Sequence, residues 1–475
     1  MLNKKIFALM PLTLVVTPFI AVSCGKTTAP KDTKKDTKTE TSKENKKPTN
    51  IVPIDMSKNI NNLETISKNK KNVVVFFADS LVGNSVANYV NNNDAIKKDM
   101  QGFTAYDNIV SSNYTNLGVP AIVGGWDYTL NEQKYGKLKD VKSSEILNQA
   151  YDNMMGMMEK AGYAQQWHAM QYYNDPTGTW AVTPENAMSR IGKGRNITVT
   201  DSKGINKNFK KPETDGPVAD LTASVAIKDN IKAADTEKPM FKFIFSEATH
   251  LKFARLENNK AVEGDGTDIA KNKSMESTIG IFQELVSKIK SFGDEVYDNT
   301  MIVFVSDHGA AHDGADKDAF KYSSDDMKKF VKDFDKYKDV KEAFGYYSIF
   351  RNNPSLMMKP FKSNGAFNLD HKTLLSIYDV PQLIKNELNE NGSKFDYDLN
   401  KSKNHMYNEN PLKLTTRTLD VYNERSWAID KKYGRDHTIP EIALQVKDSI
   451  FDINNWKWSP FIKEKNWQAF PKLTK

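Results

Sequence analysis

The chain has 475 residues, with 67 Lys and Arg against 60 Asp and Glu, a net charge of +7 at pH 7. The surplus is local: residues 1–71 hold 14 Lys and 6 acids, while the remainder holds 53 basic and 54 acidic residues, so no basic domain points to nucleic acid. An apolar content of 39% supports a core for one large domain or two ordinary ones, and the single cysteine, Cys24, excludes an internal disulfide, a Cys-based metal cluster and a Cys nucleophile in the folded part.

Residues 1–23 read as an export signal, with Lys4 and Lys5 in the charged n-region and Ile6 to Val22 as an apolar core interrupted by Pro11 and Pro18. Its ending, Ala21-Val22-Ser23-Cys24-Gly25, resembles a bacterial lipobox, in which Cys24 takes the lipid and becomes the mature N-terminus. An apolar run of about 17 residues is short for a membrane span. The expectation is therefore an extracytoplasmic lipoprotein held at the outer face of the cytoplasmic membrane. Residues 24–71 are expected to be a tether. Positions 25–50 are Lys, Thr, Asp, Glu and Pro with almost no apolar side chain, which cannot offset the entropy of ordering, and 51–71 stay polar.

The folded part opens with Asn72-Val73-Val74-Val75-Phe76-Phe77-Ala78-Asp79-Ser80, an unbroken apolar run expected of a strand buried on both faces, ending in an acid. The segment from Tyr106 to Gly125, containing Ser111-Ser112-Asn113-Tyr114-Thr115-Asn116, is rich in hydroxyls and amides before it turns apolar. That pattern suits a loop entering a helix, whose free N–H groups favour an anion. An amphipathic helix is expected over 143–162, with Ile146, Leu147, Ala150, Met154, Met157 and Met158 on one face and Gly162 at its end. The methionines read as core. Strands are expected at Tyr163 to Met170, which carries His168, and at Met240 to Ser246, which leads into Glu247-Ala248-Thr249-His250. A helix over about 274–292 carries Met275, Ile279, Phe282, Leu285, Val286 and Ile289.

A second buried strand, 300–306, then stops at Ser306-Asp307-His308-Gly309. Acids at the carboxyl ends of two such strands lie where open α/β sheets place their ligands. If the strands are parallel neighbours, Asp79 and Asp307 meet at one edge and repel unless a cation sits between them. Asp and His together suit Zn²⁺ or Mn²⁺, and a hydroxyl held against that metal is a nucleophile candidate. Residues 311–343 are charged and loosely resemble a calcium loop without its spacing, and His312 and Asp313 are further candidates for the site. Tyr346 to Phe361 reads as strand–turn–strand around Asn352-Asn353-Pro354, and His371, His405 and His437 read as structural or exposed. Alternating strands and helices give an α/β class: a mixed, mainly parallel sheet sandwiched by helices over 72–395. A small antiparallel or irregular C-terminal subdomain is expected over 396–475, with its tryptophans, Trp427, Trp456, Trp458 and Trp467, read as core.

With Asp79, the Thr115 segment, His250 and Asp307-His308 in this order and strand-end context, residues 72–390 resemble the alkaline phosphatase/sulfatase superfamily. The lipoteichoic acid synthase and phosphoethanolamine transferase branch is the nearest in pattern. The resemblance implies one divalent metal on Asp79, Thr115, Asp307 and His308, Mn²⁺ favoured, with Zn²⁺ or Mg²⁺ also suitable. It implies Thr115, five residues before Pro120, as a nucleophile forming a phospho-threonine intermediate. It implies His250 and His168 as contacts to the substrate phosphate, and Trp180 as a pocket residue. Phosphodiesters of phospholipid or glycolipid head groups, phosphoglycerol or phosphoethanolamine among them, are the implied substrates. Val182 stands where the glycerophosphate pocket carries arginine, which counts against phosphoglycerol. The Cys/Ser-x-Pro-x-Arg signature of sulfate-ester hydrolases is absent. The rival readings are a phosphatase or phosphodiesterase on soluble substrates, and a surface lipoprotein that keeps the fold for binding alone.

Overall fold

The computed structural model describes residues 64–129, 132–133, 136–141, 143–168, 197–212, 214, 216–250, 253–310, 351–393, 395–399, 410–423 and 442–458. The strands in chain order are β1 (Thr65–Ser67), β2 (Asn72–Ala78), β3 (Thr104–Tyr106), β4 (Ile109–Val110), β5 (Ala164–His168), β6 (Ile197–Thr200), β7 (Lys232–Ala234), β8 (Met240–Ser246), β9 (Arg255–Glu257), β10 (Lys260–Val262), β11 (Thr300–Val305), β12 (Leu356–Lys359), β13 (Asn368–Asp370), β14 (Leu375–Ser376), β15 (Thr418–Asn423), β16 (Ile442–Lys447) and β17 (Trp456–Trp458). Eight of them form the central sheet in the order β13-β3-β12-β11-β2-β8-β5-β6. Its run from β11 to β6 is parallel throughout, and β12 is antiparallel to both its neighbours. The architecture is thus mixed α/β, with a large, mostly parallel sheet.

The apolar runs of β2, β8 and β11 have a physical cause in the two layers that cover the sheet. Alternate side chains point to opposite faces. On β2, Val73, Val75 and Phe77 enter one core and Val74, Phe76 and Ala78 the other; on β11, Met301, Val303 and Val305 oppose Ile302 and Phe304. A strand with helices on both sides therefore has no polar face to show. The helices Gly83–Asn91, Gly216–Asn230 and Asp268–Lys290 cover one face, while Thr115–Gly124, Ser143–Lys160 and Val380–Glu390 cover the other. Met154, Met157 and Met158 are fully packed in the second layer. Two lysines of the described sheet strands are buried: Lys242 on β8, whose Nζ donates to Gln166 Oε1 on β5, and Lys359 on β12, whose Nζ donates to the Tyr297 and Thr300 carbonyls at 2.8 and 3.0 Å.

The registers align the carboxyl ends that matter. Phe77 pairs with Val305, Ala78 with Ser246, and His168 with Ile244. Asp79, Glu247 and Ser306-Asp307-His308 thus leave the sheet at one edge.

Two local expectations change, and a third is described only in part. The tether assigned to 24–71 ends earlier, because Thr65–Ser67 pairs with Lys232–Ala234 and buries Ile66; one apolar residue between polar ones leaves no readable period. The helix expected from about 274 begins at Asp268, where the Thr267 hydroxyl caps the Ala270 N–H. Of the strand–turn–strand at Tyr346 to Phe361, the turn and β12 are described, and residues 346–350 lie outside the described residues. At the C-terminal end, β15-β16-β17 form a three-stranded antiparallel sheet. Leu419, Val421, Val446, Ile450 and Trp456 from this segment join the same core as the helix Thr115–Gly124. Arg417 pins it there, forking onto Asp379 at 2.5 and 2.6 Å while Trp126 Nε1 donates to the same carboxylate at 2.8 Å. No helix among the described residues is long and apolar enough to cross a membrane.

Candidate active site

Asp79 is the first residue beyond β2. Its N–H donates to Ser246 O at 3.0 Å and its carbonyl accepts the Thr249 hydroxyl, which ties it to the end of β8. The chain then turns through Ser80 at φ 61, a left-handed conformation that a non-glycine residue adopts at a cost of about 1 kcal/mol or more. This turn aims the Ser80 N–H at Asp307 Oδ1, 3.1 Å away. The same Oδ1 accepts the His308 N–H at 2.9 Å. Asp307 is thereby held by backbone donors on one oxygen, and its Oδ2 faces His308 Nε2 at 3.4 Å.

His308 is oriented by its own turn. Nδ1 lies 2.6 Å from the Gly309 carbonyl and can only donate there, so Nε2 carries the lone pair. Burial, then the charge of Arg351, holds its pKa well below the usual range, and the ring is neutral. Nε2 is 3.9 Å from Asp79 Oδ1 and 3.1 Å from Thr115 Oγ1. Thr115 opens the helix Thr115–Gly124 after Tyr114, which stands at its N-cap in extended conformation with no side-chain cap bond. The N-terminus of a helix favours negative charge beside it.

The helix reaches this position because Gly118 packs directly on Asp307. A Cβ at Gly118 would lie 2.5 Å from the Asp307 carbonyl oxygen and 2.7 Å from its Cβ. Gly118→Ala is therefore expected to push the helix off the strand end, at about 1–3 kcal/mol of stability. Turnover would fall by about 100-fold, as expected when a reacting group is displaced by around an ångström. A denaturant melt and a kcat measurement on the variant check both numbers.

The Asp79, Asp307 and His308 donor atoms all lie within 4.8 Å of one another, and all three side chains are fully buried. Asp79 Oδ1 and Asp307 Oδ2 have no hydrogen-bond partner. Two unit charges at such a separation repel by about 3 kcal/mol at an effective dielectric of about 20, before any desolvation cost. Burial first, and then the charge of Asp307, raises the Asp79 carboxyl well above its ordinary range. Burial pushes Asp307 up to about 6 against the opposing N–H groups. Partnerless buried carboxylate oxygens beside an imidazole lone pair and a hydroxyl fit a divalent cation, and this donor set suits Mn²⁺, Zn²⁺ or Mg²⁺.

The other sequence candidates fall differently. His250 lies in the turn after β8, its pKa lowered to about 4 by burial and then by Arg351. His168 ends β5 fully buried. Its Nε2 meets Ser202 Oγ at 3.2 Å, and that hydroxyl donates to Asp220 at 2.5 Å. The described hydrogen bonds of His168 thus run to Ser202 and not to the Thr115 cluster. Trp180, His312, Asp313 and Cys24 lie outside the described residues. His371 is exposed, as expected, yet its Nδ1 pairs with buried Asp107 at 2.6 Å.

Two residues near the site carried no assignment from sequence. Glu247, directly after β8, has its carboxyl pushed up to about 7 by burial and by Asp220 and Asp307. Arg351 precedes the Asn352-Asn353-Pro354 turn, and its Nε donates to Asn113 O at 2.7 Å. The only sequence signal for either was its adjacency to a segment already singled out.

A mostly parallel α/β sheet whose strand ends hold two carboxylates, each with one partnerless oxygen, beside an imidazole and a helix-borne hydroxyl defines a class of metal-dependent enzymes. The sulfatase family model matches residues 71–342, more than half of the chain, and the chain belongs to the sulfatase family. At that level the chemistry is phosphoryl or sulfuryl transfer. Among solved structures, Ps i-CgsB in complex with k-i-k-neocarrahexaose is similar at 14% identity, covering 84% of this chain and 89% of that one, TM-score 0.48. The lipoteichoic acid synthase LtaP from Listeria monocytogenes is similar at 13% identity, covering 70% and 78%, TM-score 0.39. The C-terminal periplasmic domain of EcEptC from Escherichia coli, in complex with Zn, is similar at 14% identity, covering 69% and 84%, TM-score 0.41. None of the curated proteins compared matches the chain.

Proposed function

We propose that the chain is an extracytoplasmic, metal-dependent phosphoryl-group hydrolase or transferase that acts on phosphodiesters through Thr115, with lipid-linked head groups as its substrate class. The observation that carries this reading is the Thr115 hydroxyl 3.1 Å from His308 Nε2, in a cluster whose two buried carboxylates each keep one oxygen without a donor. Asp79, Asp307, His308 and Thr115 would hold the cation. When bound it supplies Lewis acidity, lowering the proton affinity of the hydroxyl and offsetting charge on the transferred group. Mn²⁺ is our first choice, with Zn²⁺ and Mg²⁺ as alternatives.

Thr115 Oγ1 forms a bond to phosphorus as the bond to the leaving alcohol oxygen breaks. The hydroxyl gives up one proton and the leaving oxygen gains one. His250, kept neutral by its surroundings, is offered to hydrogen-bond the transferred group or to pass that proton. An acceptor alcohol or water then attacks phosphorus and frees Thr115. A sulfate-ester reading is weaker, because Leu117 and Val119 stand where that signature carries Pro and Arg, and a threonine stands in place of its Cys or Ser. Membrane tethering through Cys24 would bring the site to a lipid substrate.

The test is metal removal. Stripping with a chelator is expected to abolish turnover of bis(p-nitrophenyl) phosphate, and Mn²⁺ to restore it, with p-nitrophenyl sulfate turned over more slowly throughout. Turnover that ignores the chelator, or that prefers the sulfate ester, would overturn the reading.

A further inference from the structure

We infer that Arg351 is the anion-binding arm of this site, its guanidinium receiving the non-bridging oxygens of the tetrahedral group that Thr115 attacks. The inference rests on the reading of Thr115 and its cluster as the reacting centre.

The placement of Arg351 comes first from the backbone. Its carbonyl accepts the Gly309 N–H at 2.8 Å, just past His308. The next carbonyl, of Asn352, accepts the Ser111 N–H at 2.8 Å, and the Asn352 amide returns a bond to Ser111 O at 2.9 Å. Asn353 extends the seam, its Nδ2 donating to Asp107 O and Ile109 O at 3.0 and 2.9 Å. Arg351 is thus wedged between the turn that carries His308 and the segment that delivers Thr115.

The side chain is fixed in turn by the two residues that precede Thr115. Nε donates to Asn113 O, and the guanidinium carbon lies 5.4 Å from the centre of the Tyr114 ring. Held by an edge and a face, the planar fork loses little further freedom on binding, and its geometry matches two oxygens of a tetrahedral oxyanion.

Electrostatics supports the same assignment. The Arg351 charge bears on Asp79, Asp307, His308 and His250 together, lowering the pKa of each. A guanidinium whose charge is felt by Asp79, Asp307 and His308 would repel a divalent ion held among them. An anion between the two cations removes that repulsion. The transferred group is such an anion, and negative charge grows on its oxygens in the transition state. Two carboxylates balance the divalent ion, and Arg351 offsets the substrate's own charge.

The experiment uses the metal-loaded protein and inorganic phosphate as the probe, titrated by calorimetry into the parent, Arg351→Ala and Arg351→Lys, with metal content measured on each. We expect metal content to be unchanged and phosphate affinity to fall about tenfold or more in Arg351→Ala and less in Arg351→Lys. We expect kcat/KM for bis(p-nitrophenyl) phosphate to fall about 100- to 1,000-fold in Arg351→Ala, and added guanidinium ion to recover part of it. Should Arg351→Ala not fold, Arg351→Lys carries the test, because it keeps the charge and loses the fork. Metal-loaded variants that bind phosphate and turn over like the parent would overturn the inference. If the parent turns over nothing and phosphate binding still depends on Arg351, the anion arm stands and the hydrolase reading falls.

Discussion

Asp307→Asn is expected to abolish specific metal uptake while the metal-free protein melts no lower than the parent. The asparagine oxygen can keep the two N–H donors that hold Asp307 Oδ1, from Ser80 and His308. What disappears is the charge on Oδ2, which has no donor of its own. In the metal-free parent that charge is a burden, since burial and its neighbour hold the Asp79 carboxyl high. A saturating metal reverses the balance. At a free concentration of about 1,000 times Kd, binding to the native state alone stabilises it by about 4 kcal/mol. Thermal melts with and without Mn²⁺ should therefore separate for the parent and coincide for Asp307→Asn. A variant that keeps the parent's metal-dependent rise in Tm would show that Asp307 is no ligand.

Thr115→Ala is expected to lose turnover by about 10⁴-fold or more, the scale seen when a nucleophile is removed from a working constellation. Stability should fall by about 1–3 kcal/mol, because the buried His308 Nε2 loses its hydroxyl partner. Thr115 is the first helical residue, and the N-cap Tyr114 makes no side-chain cap bond. Metal affinity should fall modestly, because Asp79, Asp307 and His308 remain. Thr115→Ser keeps the hydroxyl and should keep measurable turnover. Calorimetric metal titration beside single-turnover kinetics separates these effects. A Thr115→Ala variant that cannot bind metal would make the hydroxyl a ligand before it is anything else.

The sheet was legible because its central strands are buried on both faces. Val73 to Phe77 and Met301 to Val305 leave no alternation to misread, and the acid that ends each run marks the strand's carboxyl end. For two parallel neighbours, that pattern suffices to bring Asp79 and Asp307 to one edge. The segment Tyr106 to Gly125 was legible as a loop entering a helix because hydroxyl and amide residues give way to an apolar run, while Thr115 within it was singled out by the resemblance. The shorter elements were not. Thr65–Ser67 has one apolar residue, and its pairing with Lys232–Ala234 is set by a partner far away in sequence. Long-range polar contacts leave no local trace either. The Ser202 and Asp220 that engage His168 lie 34 and 52 positions away from it. Arg351 reaches the site only because Asn352 and Asn353 zip its turn to residues 107–111. Periodicity reports burial, and it is silent on which charge folds back onto which strand end.

The central claim is that Thr115 is the group that takes the phosphoryl moiety. Peptide mass spectrometry on Mn²⁺-loaded protein, quenched in acid during turnover of bis(p-nitrophenyl) phosphate, tests it most directly. The account predicts a phosphoryl ester adduct on the peptide containing Thr115, lost in Thr115→Ala together with turnover. Steady turnover with no adduct at Thr115, undiminished in Thr115→Ala, would contradict it.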